Sequence, residues 1–94
     1  MAGQEVRAYN FAASDDAALV GPSRGRLQGV LVNAASAAAF TIRSGSATGP
    51  IILQLTLPTG WNDVYIPNDG ILADEGCYVS AFTGSGNVMT LLIE

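Results

Sequence analysis

Four of the eight acidic side chains lie between positions 63 and 75, the one segment where they could carry out chemistry together. Carboxylate and amide oxygens are calcium ligands, and a pair of carboxylates can also hydrolyse a glycosidic bond. The spacing matches no EF-hand loop, because the apolar run 71–73 divides the acids, and a chain of 94 residues is too small to wall a deep cleft. The acids before Gly70 and Gly76 are typical of turns, so their presence there does not require a metal site. The residues concerned are Asp63, Asn68, Asp69, Asp74 and Glu75.

Residues for other kinds of catalysis are missing from the sequence. The chain has no histidine and no lysine, so it has no imidazole base, no histidine metal ligand and no Schiff-base amine. The single cysteine, Cys77, follows Gly76 and begins an apolar run, where it is expected to pack as a small hydrophobic residue. The glycine-rich segments 45–49 and 84–86 match no phosphate-binding pattern and are typical of hairpin loops. We therefore expect no catalytic residue, no metal and no cofactor, and a protein that is not an enzyme.

The aromatic pair Trp61 and Tyr65 is a candidate binding feature. The two residues are four apart in a predicted strand, so they share one face of it. If exposed, they could stack on sugars or contact another subunit. The alternative is partial burial in the core, with only the polar tips of the rings at the rim.

The first 26 residues differ from the rest and suggest an extended arm or an edge strand. Residues 6–11 alternate weakly, Ser14 could cap a short helical turn through Leu19, and residues 21–26 form a turn-rich connector. An arm of this kind could contact a neighbouring subunit, and its arginines could reach acidic residues there. The interface candidates, taken with the aromatic pair, are Arg7, Tyr9, Phe11, Arg24, Arg26, Trp61 and Tyr65.

Residues 27–94 consist of short apolar runs separated by Gly, Pro, Asn and Asp. We take these residues as one domain, which follows the arm formed by residues 1–26. Strands are expected at 27–33, 39–44, 51–57, 61–66, 71–73, 77–82 and 87–93. This spacing predicts an all-β fold: a small antiparallel β-sandwich, jelly-roll or Greek-key like, with an N-terminal extended arm. The expected core consists of Leu27, Val30, Val32, Phe40, Ile42, Leu53, Leu55, Ile66, Val79, Val88 and Leu91.

The final strand carries no charge before Glu94. An uncharged strand on an open sheet edge invites pairing with other chains. The run 88–93 is therefore expected either to be central in its sheet or to be covered by a partner.

Composition limits the partners. Apolar residues make up 49% and charged residues 13% of the chain, at a net charge of −4 and a mean hydropathy of +0.33. Either partner subunits cover much of the surface, or coding bias has removed lysine and enriched small residues. Four arginines in an acidic chain argue against nucleic acid. No stretch resembles a membrane span or a secretory signal, so we expect no membrane contact and a protein made and used in a cytoplasm, unless it is exported within a particle.

The last two-thirds of the chain has a characteristic order of segments. The strand at 27–33 is followed by Phe40-Thr41-Ile42-Arg43, the glycine-rich loop 44–49 and Ile51-Ile52-Leu53-Gln54-Leu55. The most specific part is Ile66-Pro67-x-x-Gly70-Ile71, followed by Gly76-Cys77-Tyr78-Val79. This order resembles small bacteriophage virion proteins that decorate or cement capsids.

The resemblance implies a short β-sandwich that stabilises a phage head by binding between subunits of the major capsid protein on the outer surface of the virion, often as a homotrimer. It implies no catalytic residues. Two other functions remain open on the sequence. One is a tail, spike or fibre-base module, and the other is a small carbohydrate-binding sandwich that uses the aromatic pair.

Overall fold

A computed structural model describes residues 6–66 and 70–94 of the chain. Within these ranges every regular element is a strand. The polar start at 1–5 and the turn predicted at Pro67, Asn68 and Asp69 lie outside the described residues. The strands are β1 (Arg7–Ala12), β2 (Ala18–Val20), β3 (Gly25–Ala34), β4 (Ala38–Ser44), β5 (Ile51–Leu57), β6 (Gly60–Tyr65), β7 (Ile71–Ala73), β8 (Cys77–Phe82) and β9 (Val88–Ile93).

The strands form two antiparallel sheets that pack together as a small β-sandwich, which confirms the predicted fold class. Sheet 1 has the order β1-β9-β3-β6, and β7 pairs with the first residues of β3. Sheet 2 has the order β2-β8-β4-β5. The chain passes repeatedly from one sheet to the other, and the described part of the N-terminal segment supplies one edge strand to each. The uncharged run 88–93 is a central strand, because β9 lies between β1 and β3.

The core lies between the sheets and contains most of the predicted residues. Leu27, Val30, Val32, Phe40 and Ile42 are fully or almost fully buried. The remaining predicted members that are buried are Ile66, Val79 and Leu91. The prediction that these residues form the core is therefore confirmed.

Val88 is exposed, so its predicted place in the core is wrong. In β9 the inward residues are Met89, Leu91 and Ile93. Five of the six residues of this strand are apolar, so alternation could not fix which face was buried. Leu53 and Leu55 are half-buried rather than buried, since β5 is the edge of sheet 2.

A bulge in β3 explains why Leu27 and Val30 face the same side despite their odd spacing. Leu27 pairs with Ile93 and Gly29 with Leu92, so the intervening Gln28 is the extra residue. The Gln28 side chain donates a hydrogen bond to the Glu94 carboxylate at 2.8 Å. A bulge reverses the inward and outward sides of the strand that follows it.

The helical turn predicted through Leu19 is wrong, because Ala18–Val20 is strand β2. Asp15 forms a tight turn instead: its carboxylate accepts a hydrogen bond from the Ala12 N–H, and its own N–H donates to the Ala12 carbonyl, both at 2.9 Å. This turn carries the chain from β1 in sheet 1 to β2 in sheet 2.

Candidate functional site: the outer face of sheet 1

The solvent side of sheet 1 is a regular grid of side chains fixed by strand register. Residues of β6, β3, β9 and β1 pair directly across the sheet, so their outward positions line up in three rows. We call this set the outer face of sheet 1. Its rows are Trp61, Asn33, Val88 and Ala12; then Asp63, Leu31, Thr90 and Asn10; then Tyr65, Gly29, Leu92 and Ala8.

Trp61 and Tyr65 project from the edge strand β6. Their exposed fractions are 67% and 78%, so the alternative of partial core burial does not describe them. At about 3.3 Å per strand residue the two side chains leave the backbone roughly 13 Å apart. Asp63 lies between them on the same face, whereas Val64 packs inward against the core.

The rest of this face is mostly apolar and small. Leu31 and Leu92 are half-buried and Val88 is exposed. Thr90 donates a hydrogen bond from its hydroxyl to the Asn10 side-chain oxygen at 2.7 Å. Within the twelve residues of the grid Asp63 is the one acidic or basic side chain, so the face offers apolar contact and a single carboxylate.

The opposite side of the molecule, the outer face of sheet 2, carries hydrogen-bonded polar side chains beside two exposed apolar ones, Leu19 and Ile51. Arg43 donates from Nε to the Ser80 hydroxyl at 3.3 Å and from Nη1 to the Gly49 carbonyl at 2.9 Å. Gln54 donates to the Thr41 hydroxyl at 3.0 Å. These polar groups find partners within the chain.

The N-terminal candidates do not come together into one site. Tyr9 is half-buried against the core, and Phe11 is buried with its ring 6.3 Å from that of Phe82. Arg7 and Arg26 are exposed. Arg24 lies 3.6 Å from the Asp74 carboxylate in an exposed ion pair. Of the seven candidates, Trp61 and Tyr65 belong to the twelve-residue grid, and Arg26 lies on the same side of sheet 1 beyond the grid, paired with exposed Leu72 of β7.

The described acidic residues of 63–75 have different surroundings. Asp63 projects from β6, Asp74 pairs with Arg24, and Glu75 packs beside Gly45. Across 6–66 and 70–94, the structure shows no group of three or more metal-binding side chains. Asp69 lies outside these ranges.

Cys77 is buried between the sheets, as predicted for a small hydrophobic residue. Desolvation raises the pKa of its thiol from 9.0 to about 11. A thiol with a raised pKa is the protonated, unreactive form at neutral pH. Cys77 therefore contributes packing.

Asn87 is a structural residue that sequence reasoning missed. It is 1% exposed, and its amide holds two loops together. The side-chain oxygen accepts from the Ser36 N–H at 3.1 Å, and the NH₂ group donates to the Ser36 and Thr83 carbonyls, both at 3.0 Å. A polar residue directly after a glycine-rich loop was the available signal, because such residues often bond to turn backbone.

An open pocket of about 310 Å³ lies at one end of the sandwich, beside these loops. Its lining is small and neutral: Ala13, Ser14, Phe82, Thr83, Gly84, Ser85 and Gly86. No titratable side chain lines it, so it offers neither a general base nor a metal ligand.

Comparison of the chain with protein-family models, curated proteins and solved structures finds no match. No helix in the described part of the chain is long and apolar enough to cross a membrane. The choice of the outer face of sheet 1 as the candidate functional site therefore rests on the geometry of this chain alone.

Proposed function

We propose that this protein is a structural virion component, a capsid decoration or cement protein that binds a phage head through the outer face of sheet 1. The observation that carries the proposal is the exposed pair Trp61 and Tyr65 on a sheet face with one charge. Exposed aromatic residues of this kind supply most of the binding energy in many protein interfaces. The resemblance of residues 27–93 to virion proteins supplies the class of partner.

The size of the face suits a contact that is repeated over a shell. Four strands spaced about 4.8 Å apart and five residues of strand length span roughly 300 Å². That is the size of the largest apolar patch on a typical monomer and smaller than one side of a standard interface, about 800 Å². A contact of this size therefore needs contributions from the loops around it, or from several copies of the protein that dock together as one oligomer.

The charge on the outer face of sheet 1 indicates what kind of partner surface would fit it. The outer face of sheet 1 carries Asp63 as its one formal charge, so burial there desolvates a single carboxylate. The fitting partner is an apolar surface of the major capsid protein with a donor opposite Asp63. Binding of this kind should weaken little with salt, because long-range charge attraction contributes little. Exposed Arg7 and Arg26 could add contacts to acidic residues at the rim.

Copy number tests the position in the particle. Quantitative mass spectrometry of density-purified virus particles from the source would measure this chain relative to the major capsid protein. A ratio near one, or a simple fraction of it, is expected for a shell-wide decoration protein, and the trimer that the resemblance implies is one such arrangement. A few copies per particle would place the protein in a tail, spike or fibre base, and absence from particles would contradict a virion role.

A second candidate function is carbohydrate binding. Trp61, Asp63 and Tyr65 form an aromatic–carboxylate–aromatic line along β6, which suits stacking on sugar rings with one hydrogen bond to a hydroxyl. Because Trp61 is the single tryptophan, its fluorescence reports this surface directly. Saturable quenching or a blue shift with one glycan of a panel would support this function. An unchanged spectrum across the panel would reject it.

A further inference from the structure

Strand β5 forms an edge of sheet 2, and it pairs with β4 on one side. A bulge at Ile52 interrupts its first residues, but the regular part, 53–57, includes no bulge, no charge and no proline. Other edges carry a protective feature: β1 begins with Arg7, β6 contains Asp63, and β2 is three residues long. Soluble proteins protect edge strands in these ways because bare edges pair with other strands.

The side chains of β5 also show incomplete burial. Leu53, Leu55 and Leu57 lie opposite the buried residues of β4 and so point toward the core side. All three are nevertheless only half-buried, because within 6–66 and 70–94 no strand lies beyond β5 in sheet 2. One further strand at this edge would cover the leucines and satisfy the outward backbone groups together.

We propose that this strand belongs to a second copy of the chain, and that β5 pairs with its counterpart in an antiparallel dimer centred on Leu55. In this register Leu53 lies opposite Leu57, Gln54 opposite Thr56, and Leu55 opposite itself. Leucine therefore meets leucine on the core side, and an amide meets a hydroxyl on the solvent side. A second copy fits because the strand is self-complementary and places no charge against a like charge.

The dimer would place two binding faces side by side. An antiparallel pair of this kind has its twofold axis perpendicular to the sheet, so both copies keep sheet 1 on the same side of the joined eight-stranded sheet. Strand β6 follows β5 after Pro58 and Thr59, so the Trp61 side of each outer face borders the interface. The dimer stands independently of the proposed function, because it is measured on the isolated protein.

Sedimentation equilibrium of the isolated protein tests the oligomer. The contact is smaller than a standard interface, so we expect the average mass to rise from that of the 9.7-kDa chain to twice that value as the concentration increases from about 5 to about 500 µM. Thr56→Lys places a charge at the paired edge and should keep the protein monomeric. Ala81→Lys, on the same face of sheet 2 but in the inner strand β8, should leave dimerisation unchanged. A monomer throughout, a trimer, or equal dimerisation by Thr56→Lys would overturn the proposal.

Disulfide trapping tests the register without depending on the stability of the lysine variant. Gln54→Cys and Thr56→Cys are made as separate proteins and oxidised alone and as an equimolar mixture. In the proposed register the cysteine introduced at one position faces the cysteine introduced at the other across the interface, so a crosslinked dimer should form in the mixture. Each variant alone should stay uncrosslinked, because its two introduced cysteines would sit at diagonal positions about 7–8 Å apart.

Buried Cys77 does not interfere, since its thiol stays protonated. No crosslinking in the mixture, or equal crosslinking in all three samples, would contradict the proposed pairing.

Discussion

The two outer faces of this sandwich both expose apolar side chains, but large aromatic rings that are mostly exposed project from the face of sheet 1 alone among the described residues. On the outer face of sheet 2, Arg43 and Gln54 find partners on neighbouring strands and in the next loop. On the outer face of sheet 1, Trp61 and Tyr65 extend into solvent with Asp63 between them. Polar groups satisfied within the chain stabilise the fold, whereas large exposed rings bury surface only when something else covers them. The proposed function rests on this difference, because it places binding on the face whose rings have no cover.

Among single substitutions, the largest effect is expected from a charge placed in the grid. Val88→Glu introduces a carboxylate beside Asn33 and Ala12 that docking would have to desolvate. Affinity for virus particles should fall at least about 30-fold, roughly 2 kcal/mol, while the free energy of unfolding changes by less than about 1 kcal/mol. The matched control is Ala81→Glu on the outer face of sheet 2, an exposed position in a strand that is also not at an edge. Co-sedimentation measures both, and equal losses would remove the distinction between the faces.

Between the two sheets, the buried thiol of Cys77 should make the stability of the fold depend on pH. Burial raises the pKa of the Cys77 thiol to about 11, whereas the unfolded thiol ionises near 9.0. The unfolded chain therefore loses a proton that the folded chain keeps as pH rises from about 9 to about 11. Over that window the unfolding free energy should fall by about 2 kcal/mol, and this contribution is fully present below pH 9.

Denaturant unfolding across this pH range, compared with Cys77→Ala, isolates the thiol. The variant should lack this component of the alkaline loss. Parallel pH profiles for the two proteins would show that the thiol is not desolvated as the structure requires.

On the outer face of sheet 2, Arg43→Met should lower stability and leave binding intact. The substitution removes the hydrogen bonds to Ser80 and Gly49 but keeps most of the aliphatic stem. We expect a loss of about 1–2 kcal/mol in unfolding free energy. Arg26→Met, at an exposed position, is the control and should change stability little. Reduced particle affinity in a folded Arg43→Met protein would indicate binding through the outer face of sheet 2 and so contradict the account.

The smallest effect is expected at Thr90. Thr90→Val is nearly isosteric and removes only the exposed hydrogen bond to Asn10. Stability should change by about 0.5 kcal/mol or less. Particle affinity should stay the same or rise slightly, because the docking face becomes more apolar. A clear loss of affinity would mean that this hydroxyl contacts the partner directly.

The sequence predicted the strands well because turn residues separate them at regular spacing. It predicted the core less well wherever both faces of a strand are apolar, as in β9, where Val88 was assigned to the wrong side. It also could not show the bulge at Gln28, because the shift depends on pairing with β9. Edge position is equally a property of the sheet order, which left Leu53 and Leu55 half-buried.

The candidate site was predictable in part. The spacing of Trp61 and Tyr65 correctly placed them on one face, but alternation alone does not say which face is buried. Asp63 carried the missing signal: it shares that face, and an unpaired carboxylate is rarely found in a core. The grid as a whole was not predictable, because it brings together strands that are far apart in sequence.

The most direct test of the account removes the two rings. Trp61→Ala/Tyr65→Ala and the matched double variant Leu19→Ala/Ile51→Ala are compared by co-sedimentation with particles of the source that have been stripped of this protein. Leu19 and Ile51 lie in one row of the outer face of sheet 2 and are 49% and 48% exposed. With both proteins folded, affinity should fall at least about 100-fold for the aromatic variant and less than about 3-fold for the control. Undiminished binding by the aromatic variant, or equal loss in the two, would contradict the assignment of binding to the outer face of sheet 1.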